Sequence, residues 1–329
     1  MLQEELPNKI CISGDSLPIR LDRAIASNFT AYSRATIQKL IQNGNVRVSG
    51  KIVTDCSYQV KHPALVEFTK IQDQKKKQLP SSHAPLLVAF EDDDIIILDK
   101  THGIAVHPTS NNSNKVTLVD LLKLHCGKNL SDISGPLRPG IVHRLDANTS
   151  GLMVVAKNNA AHKILLDAFA SKQVERLYIA LVFGVPSLQS GMISANIKRS
   201  TRDRTKMTIT NSGGRRAVTH YTVMENFRDK VSMLECRLDT GRTHQIRIHM
   251  SFKNHPIIGD KIYISSKNFN LSTLSKETIE AITSMSRQAL HSYKISLQHP
   301  ITNTNLMFES ALPQDIQHIL DLLRLDITS

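Results

Sequence analysis

Leu21, Ala24 and Ile25, then Ile37, Leu40 and Ile41, recur at the three- and four-residue spacing of helices that bury one face. Ser33 stands just ahead of Arg34 as the N-cap of the second helix. Two short strand-like stretches follow, Asn45 to Val48 and Lys51 to Thr54, folded about the turn pair Ser49-Gly50. Together these predict a small unit over residues 17–69. Periodicity then stops. Residues 70–84 (KIQDQKKKQLPSSHA) are polar, cationic and interrupted by Pro80, which reads as a linker. A larger domain is expected over 85–329. Its pattern predicts strands at Ile95 to Leu98, Leu152 to Ala156, 177–183, 217–224, 231–238 and 290–297, and helices at Thr117 to His125, 158–172 and 314–324. Strands and helices mix without regular alternation, so the expected fold class is α+β.

Charge adds a partner to this picture. Lys and Arg number 41 against 29 Asp and Glu, a net charge of +12. An excess of that size is what neutralising a polyanion requires, although a well-solvated surface needs no partner. Cys11, Cys56, Cys126 and Cys236 are far apart and form no C-x-x-C pair, which argues against a zinc knuckle or disulfide scaffold and suits a reducing cytosol. The start of the chain carries Glu4 and Glu5 and no apolar core, unlike a secretory signal. No apolar run approaches the ~20 residues of a membrane span. A cytoplasmic protein with no membrane partner is expected.

Two stretches concentrate chemistry. Gly140 to Lys157 (GIVHRLDANTSGLMVVAK) puts His143, Arg144, Asp146 and Asn148 in a loop that runs into a buried strand. Asp146 and Asn148 suit turn formers equally well. Leu238 to Met250 (LDTGRTHQIRIHM) allows Thr243 to cap a helix with Ile246 and Met250 inward and Arg247 toward solvent. Alternation of Ile246, Ile248 and Met250 suits a strand as well. His244 and His249 are five apart, not the four that puts two zinc ligands on one helical face, so no metal site is expected.

The first stretch resembles the H-R-L-D-x-x-T/S-S/T-G-L signature of RluA-type pseudouridine synthases, and the second their T-G-R-T/S-H-Q-I/L-R block. Three weaker blocks follow the family's order: Asp94 to His107, Arg176 to Gly184 (RLYIALVFG) and Leu290 to Pro300 (LHSYKISLQHP). Arg20 to Ile25 and Ser33 to Lys51 are similar to an S4 RNA-binding domain. With Leu137 to His143 (LRPGIVH), this arrangement resembles members that act on large-subunit ribosomal RNA. The chain departs from the pattern at Lys100-Thr101-His102-Gly103, where K-P-x-G is usual, and at Arg176, where Lys is usual.

The resemblance implies a pseudouridine synthase catalytic domain with a mixed, largely antiparallel sheet, behind an S4-like unit. It implies isomerisation of uridine with Asp146 as the catalytic carboxylate, Arg247 as its paired cation and Tyr178 against the base. An isomerisation needs no cofactor, and no P-loop, dinucleotide fingerprint or metal-ligand cluster is present in the sequence. Arg144 is expected to fill the gap that a flipped base leaves, with His143 beside it. Further RNA contacts are expected from Arg34 and Lys39 in the first unit. A polar insertion carrying Lys198, Arg199, Arg202, Arg204, Lys206, Arg215 and Arg216 is expected to grip the backbone. The expected partner is structured RNA, large-subunit ribosomal RNA or the pre-ribosomal subunit, bound by a monomer. Transfer RNA as substrate, or a non-catalytic RNA-binding assembly factor, are the competing readings.

Overall fold

The computed structural model describes residues 9–12, 18–28, 34–61, 63–68, 86–108, 115–264 and 269–328. The chain divides into two units, Met1–Pro80 and Ser81–Ser329. The linker expected at 70–84, and Ser33 as a cap, lie outside the described residues.

The first unit contains β1 (Lys9–Ile12), β2 (Ile19–Arg20), α1 (Leu21–Asn28), α2 (Arg34–Gln42), β3 (Val46–Val48), β4 (Lys51–Ile52), β5 (Gln59–Val60) and β6 (Ala64–Phe68). Its sheet runs β1-β6-β3-β4 and is antiparallel throughout. Because β1 pairs with β6, the unit reaches upstream of residue 17. Leu21, Ile25, Ile37 and Ile41 form its core with Val46, Val60 and Val66. Ser49 and Gly50 both adopt positive φ, 48° and 80°, the mirror-image turn that a tight hairpin requires. Asp22 is fully buried and accepts hydrogen bonds from Arg20, Arg34 and Gln38, whose charge and donors hold its carboxyl far below the usual range against the opposing effect of burial. Arg34 therefore braces the fold, with two of its nitrogens on that carboxylate. The Lys39 side chain lies outside the described residues.

The second unit begins with β7 (Val88–Glu91), β8 (Ile95–Lys100), α3 (Leu118–Cys126), β9 (Ser150–Ala156), α4 (Asn159–Ala170) and β10 (Glu175–Phe183). It continues through β11 (Ser190–Arg199), β12 (Met207–Thr210), β13 (Arg215–Phe227), β14 (Val231–Leu238) and α5 (Gln245–Phe252). The chain then forms α6 (Lys276–Ser284), β15 (Leu290–Gln298), β16 (Asn305–Glu309) and α7 (Gln314–Thr328). Ten strands make one sheet, ordered β12-β11-β13-β14-β10-β15-β9-β8-β7, with β16 also on β15. Ile96 and Leu98 of β8 pack into the core shared with α3, whereas Ile95 and Ile97 pack with Ala161 and Leu165 of α4. A strand covered on both faces carries no polar alternation, which is why β8 and β9 are continuous apolar runs.

The sheet is antiparallel except at one joint. There β9 meets β15 in parallel over two residue pairs, His291 with Ser150 and Ser292 with Gly151. Beyond them β15 turns its edge to β16. Gly151 makes the joint possible: it has φ 110°, and a Cβ there would stand 2.2 Å from the Ser292 carbonyl oxygen. Gly151→Ala should therefore cost on the order of 3 kcal/mol through forced strand separation. A shift of the denaturant midpoint measures this, and an unchanged midpoint would refute the close approach.

Candidate active site

Asp146 lies in the loop that enters β9, four residues before the joint. Distant groups hold that loop by its backbone and hydroxyl oxygens. Lys100 Nζ donates to the Ala147 carbonyl at 3.0 Å, and also to Thr101 and Ile104. Arg287 Nη1 reaches the Asn148 carbonyl at 3.3 Å, while its Nε and Nη2 grip Asp315 of α7. Gln288 Nε2 donates to Thr149 Oγ1 at 3.0 Å. Burial lowers the Lys100 pKa to about 7, with Asp146 acting in the opposite direction.

The carboxylate of Asp146 accepts a hydrogen bond from Arg247 Nη1 at 3.0 Å. Arg247 is buried, not turned to solvent, and its planar fork is spent on another acid. Nε and Nη2 meet the two oxygens of Asp260 at 2.8 and 2.9 Å. Burial alone would lower the Arg247 pKa; Asp260, and then Asp146, raise it above the ordinary guanidinium value. Asp260 also accepts the backbone N–H groups of Ile262 and Tyr263, which help to fix its position. Nothing in the local sequence singled out Asp260, because its partner lies thirteen residues away on α5 and the pairing is tertiary.

Thr243 does not cap α5. His244 occupies that position in the left-handed region at φ 57°, and the preceding turn is held by Gln245. Gln245 Oε1 accepts from Thr240 Oγ1 and the Arg242 N–H, while its Nε2 donates to Val218 and Thr219. Tyr263 Oη accepts the Met207 N–H at 2.8 Å and lies 2.8 Å from His244 Nδ1. Burial raises the Tyr263 pKa to about 12 and lowers that of His244. The contact between the phenol and Nδ1 holds the ring with His244 Nε2 toward Asp146, at 4.0 Å. Tyr178 is buried in the same pocket; burial raises its pKa, so the phenol keeps its proton.

The pocket around Asp146 has a volume of about 50 Å³ and includes Arg144, Arg176, Tyr178, His244 and Arg247. It adjoins a groove of about 930 Å³. Useful ligand sites span roughly 300–1,000 Å³, so the groove is the part that accommodates a large ligand. Arg138, Arg144, Arg176, Arg199, Arg215 and Arg242 all line it. Arg144 is aimed by His107, whose Nδ1 donates to the Pro108 carbonyl and whose Nε2 accepts from Arg144 at 3.1 Å. His143 is a brace: its Nε2 accepts the Val154 N–H, and burial presses its pKa down to about 3.

Of the expected backbone contacts, Arg199 and Arg215 reach the groove. The basic insertion is the β11–β12 hairpin, and its Arg202, Arg204 and Lys206 stand at the turn, apart from the groove lining. Arg138 and Arg242 were visible within the quoted motifs but carried no assignment. Among the described residues two clusters offer metal-binding atoms, Glu91-His125-Cys126 and Asp92-Asp94-His299. Neither contributes to the pocket, and the second is already tied internally by His299 on Asp92.

Residues 94–252 match the RNA pseudouridylate synthase family, and residues 19–64 match the S4 domain. The chain is 40% identical to "Ribosomal large subunit pseudouridine synthase D" of Zymomonas mobilis, covering 96% of this chain and 97% of that one. It is 37% identical to the uncharacterised RNA pseudouridine synthase YlyB of Bacillus subtilis, over 93% of this chain and 94% of the relative. In fold it is similar to human RNA pseudouridylate synthase domain containing 4, with TM-score 0.56 and 24% identity over 72% of this chain and 93% of that one.

Proposed function

Because this chain belongs to the RNA pseudouridylate synthase family, we infer that it isomerises uridines of large-subunit ribosomal RNA to pseudouridine, with Asp146 as catalytic carboxylate. The target class follows its relatives named for the large ribosomal subunit, which it matches along nearly its full length. One observation carries the assignment of the site. A single carboxylate, held by a buried arginine at 3.0 Å, stands with Tyr178 where a narrow pocket opens onto a groove lined with arginines.

In the reaction the N1–C1′ bond breaks, a C5–C1′ bond forms, and a proton leaves C5 while N1 gains one. Atoms are conserved and nothing is oxidised. Asp146 attacks the substrate or takes a ribose proton, and Arg247 holds it aimed through the 3.0 Å hydrogen bond. Tyr178 gives the base a flat contact and, being protonated, a hydrogen-bond donor. Arg144 lines both the pocket and the groove and is exposed, held by its hydrogen bond to His107. Movement of Arg144 into the duplex would fill the place of the extruded base.

The same reading takes the enzyme as a cytoplasmic monomer. Support for the compartment comes from the free thiols of all four cysteines. Mapping pseudouridines in total RNA with and without the gene should show sites lost from large-subunit ribosomal RNA. Loss confined to transfer RNA would reassign the substrate. No loss from any RNA would end the catalytic reading.

A further inference from the structure

Arg176 is 6% exposed, yet among the described residues no carboxylate pairs with it. Its side chain donates from Nη2 to the Leu238 carbonyl at 3.3 Å, and its buried Nε has no partner. The guanidinium carbon stands 5.1 Å from the centre of the Phe169 ring. Asp239, the acid of the adjoining groove, is taken by Lys172 at 2.9 Å and by Arg237. A buried cation is ordinarily paired, because desolvation of the charge otherwise goes uncompensated. Arginine cannot escape by losing its proton.

The location of this exception is informative. Arg176 lines both the Asp146 pocket and the groove, two residues before Tyr178 on β10. Gly241 makes room for it, since a Cβ there would come within 3.1 Å of Nη1. We propose that Arg176 is an anion subsite which the substrate completes: Nη1 donates to a non-bridging oxygen of a phosphodiester flanking the flipped nucleotide. This rests on the reading that the chain binds RNA. The free enzyme holds an unsatisfied charge, and the nucleic acid supplies the counter-ion.

Two measurements on the full chain test this. Arg176→Met should melt no lower than wild type without RNA, because it removes an unpaired buried charge. A fall of several degrees would mean that Arg176 is a structural pillar, and would overturn the proposal. The second measurement scans a large-subunit ribosomal RNA hairpin, bound by the wild type, with single neutral methylphosphonates. At one phosphate, neutralisation should weaken wild-type binding roughly 10- to 100-fold, as expected for hydrogen bonds to a charged group. The same RNA should bind Arg176→Met no more weakly than unmodified RNA does, and Arg176→Lys should regain part of the difference. Equal weakening of wild type and variant at every position would refute the subsite. If the wild type binds but isomerises no uridine, the reaction assignment fails while this cycle still reads Arg176 against phosphate.

Discussion

Asp146→Asn should leave a folded, RNA-binding protein that no longer isomerises uridine. The substitution keeps size and shape and retains an oxygen to accept the Arg247 Nη1 hydrogen bond, now 3.0 Å long. Arg247 stays compensated by Asp260, so no buried charge is stranded. The arginines of the groove are untouched, and binding should persist. What disappears is the one charged group positioned to attack or to accept a proton. A loss of at least about 100-fold is expected, the lower end of what a placed acid–base group contributes. Single-turnover rates beside a thermal melt decide the matter. Turnover within tenfold of wild type would end the claim that Asp146 does the chemistry.

Arg247→Met should have the opposite profile, damaging stability and activity together. Asp260 is 1% exposed and Arg247 5%, so removing the guanidinium leaves a carboxylate with two lost hydrogen bonds and no cation. Breaking a buried pair from one side costs about 3–5 kcal/mol. Replacing both partners with apolar groups of similar volume is often close to neutral. Arg247→Met combined with Asp260→Leu should therefore recover much of the stability while activity stays absent, because Asp146 still lacks its donor. Denaturant midpoints and single-turnover rates on the three proteins separate these effects. Turnover restored in the double variant would show that Arg247 serves only to neutralise Asp260.

How much of this was legible in the sequence depended on how each element is buried. Strands β8 and β9 announced themselves because both of their faces meet helices, and an apolar run bounded by turns is a strong signal. Helix α5 was ambiguous between helix and strand for a related reason. Gln245 through Met250 are all buried, so the helix has no polar stripe to mark its period. The expected outward Arg247 failed on that point. The β11–β12 hairpin reads as a polar insertion because its strands fully bury only Ile193 and Ile197. Strands β7 and β16 are short edge strands with mixed patterns, and went unread. Helix α6 could have been found: Ser275 caps it by accepting the Thr278 N–H, and Ile279 and Ile282 follow at helical spacing.

Asp146 and Tyr178 were found through motif resemblance, and the structure places both in one pocket with Arg247. Asp260, Tyr263 and Arg176 were not found as site residues, for a common physical reason. Each matters through what it meets, or fails to meet, across the fold, and neither outcome leaves a local pattern in the chain.

The joint between β9 and β15 also sets when the enzyme comes into being. Ser150 bonds His291 across 141 residues, Asn148 is held by Arg287 across 139, and Arg287 in turn relies on Asp315. The first unit closes its own core by Phe68. Domains fold largely in order of synthesis, at about 5–20 residues per second, so some 250 residues and roughly 12–50 seconds separate that event from the emergence of Asp315. Contacts so distant in sequence are also slow to form. A nascent chain can thus own a finished RNA-binding unit well before it owns a carboxylate fixed for chemistry, and catalytic competence arrives among the last properties of the growing polypeptide.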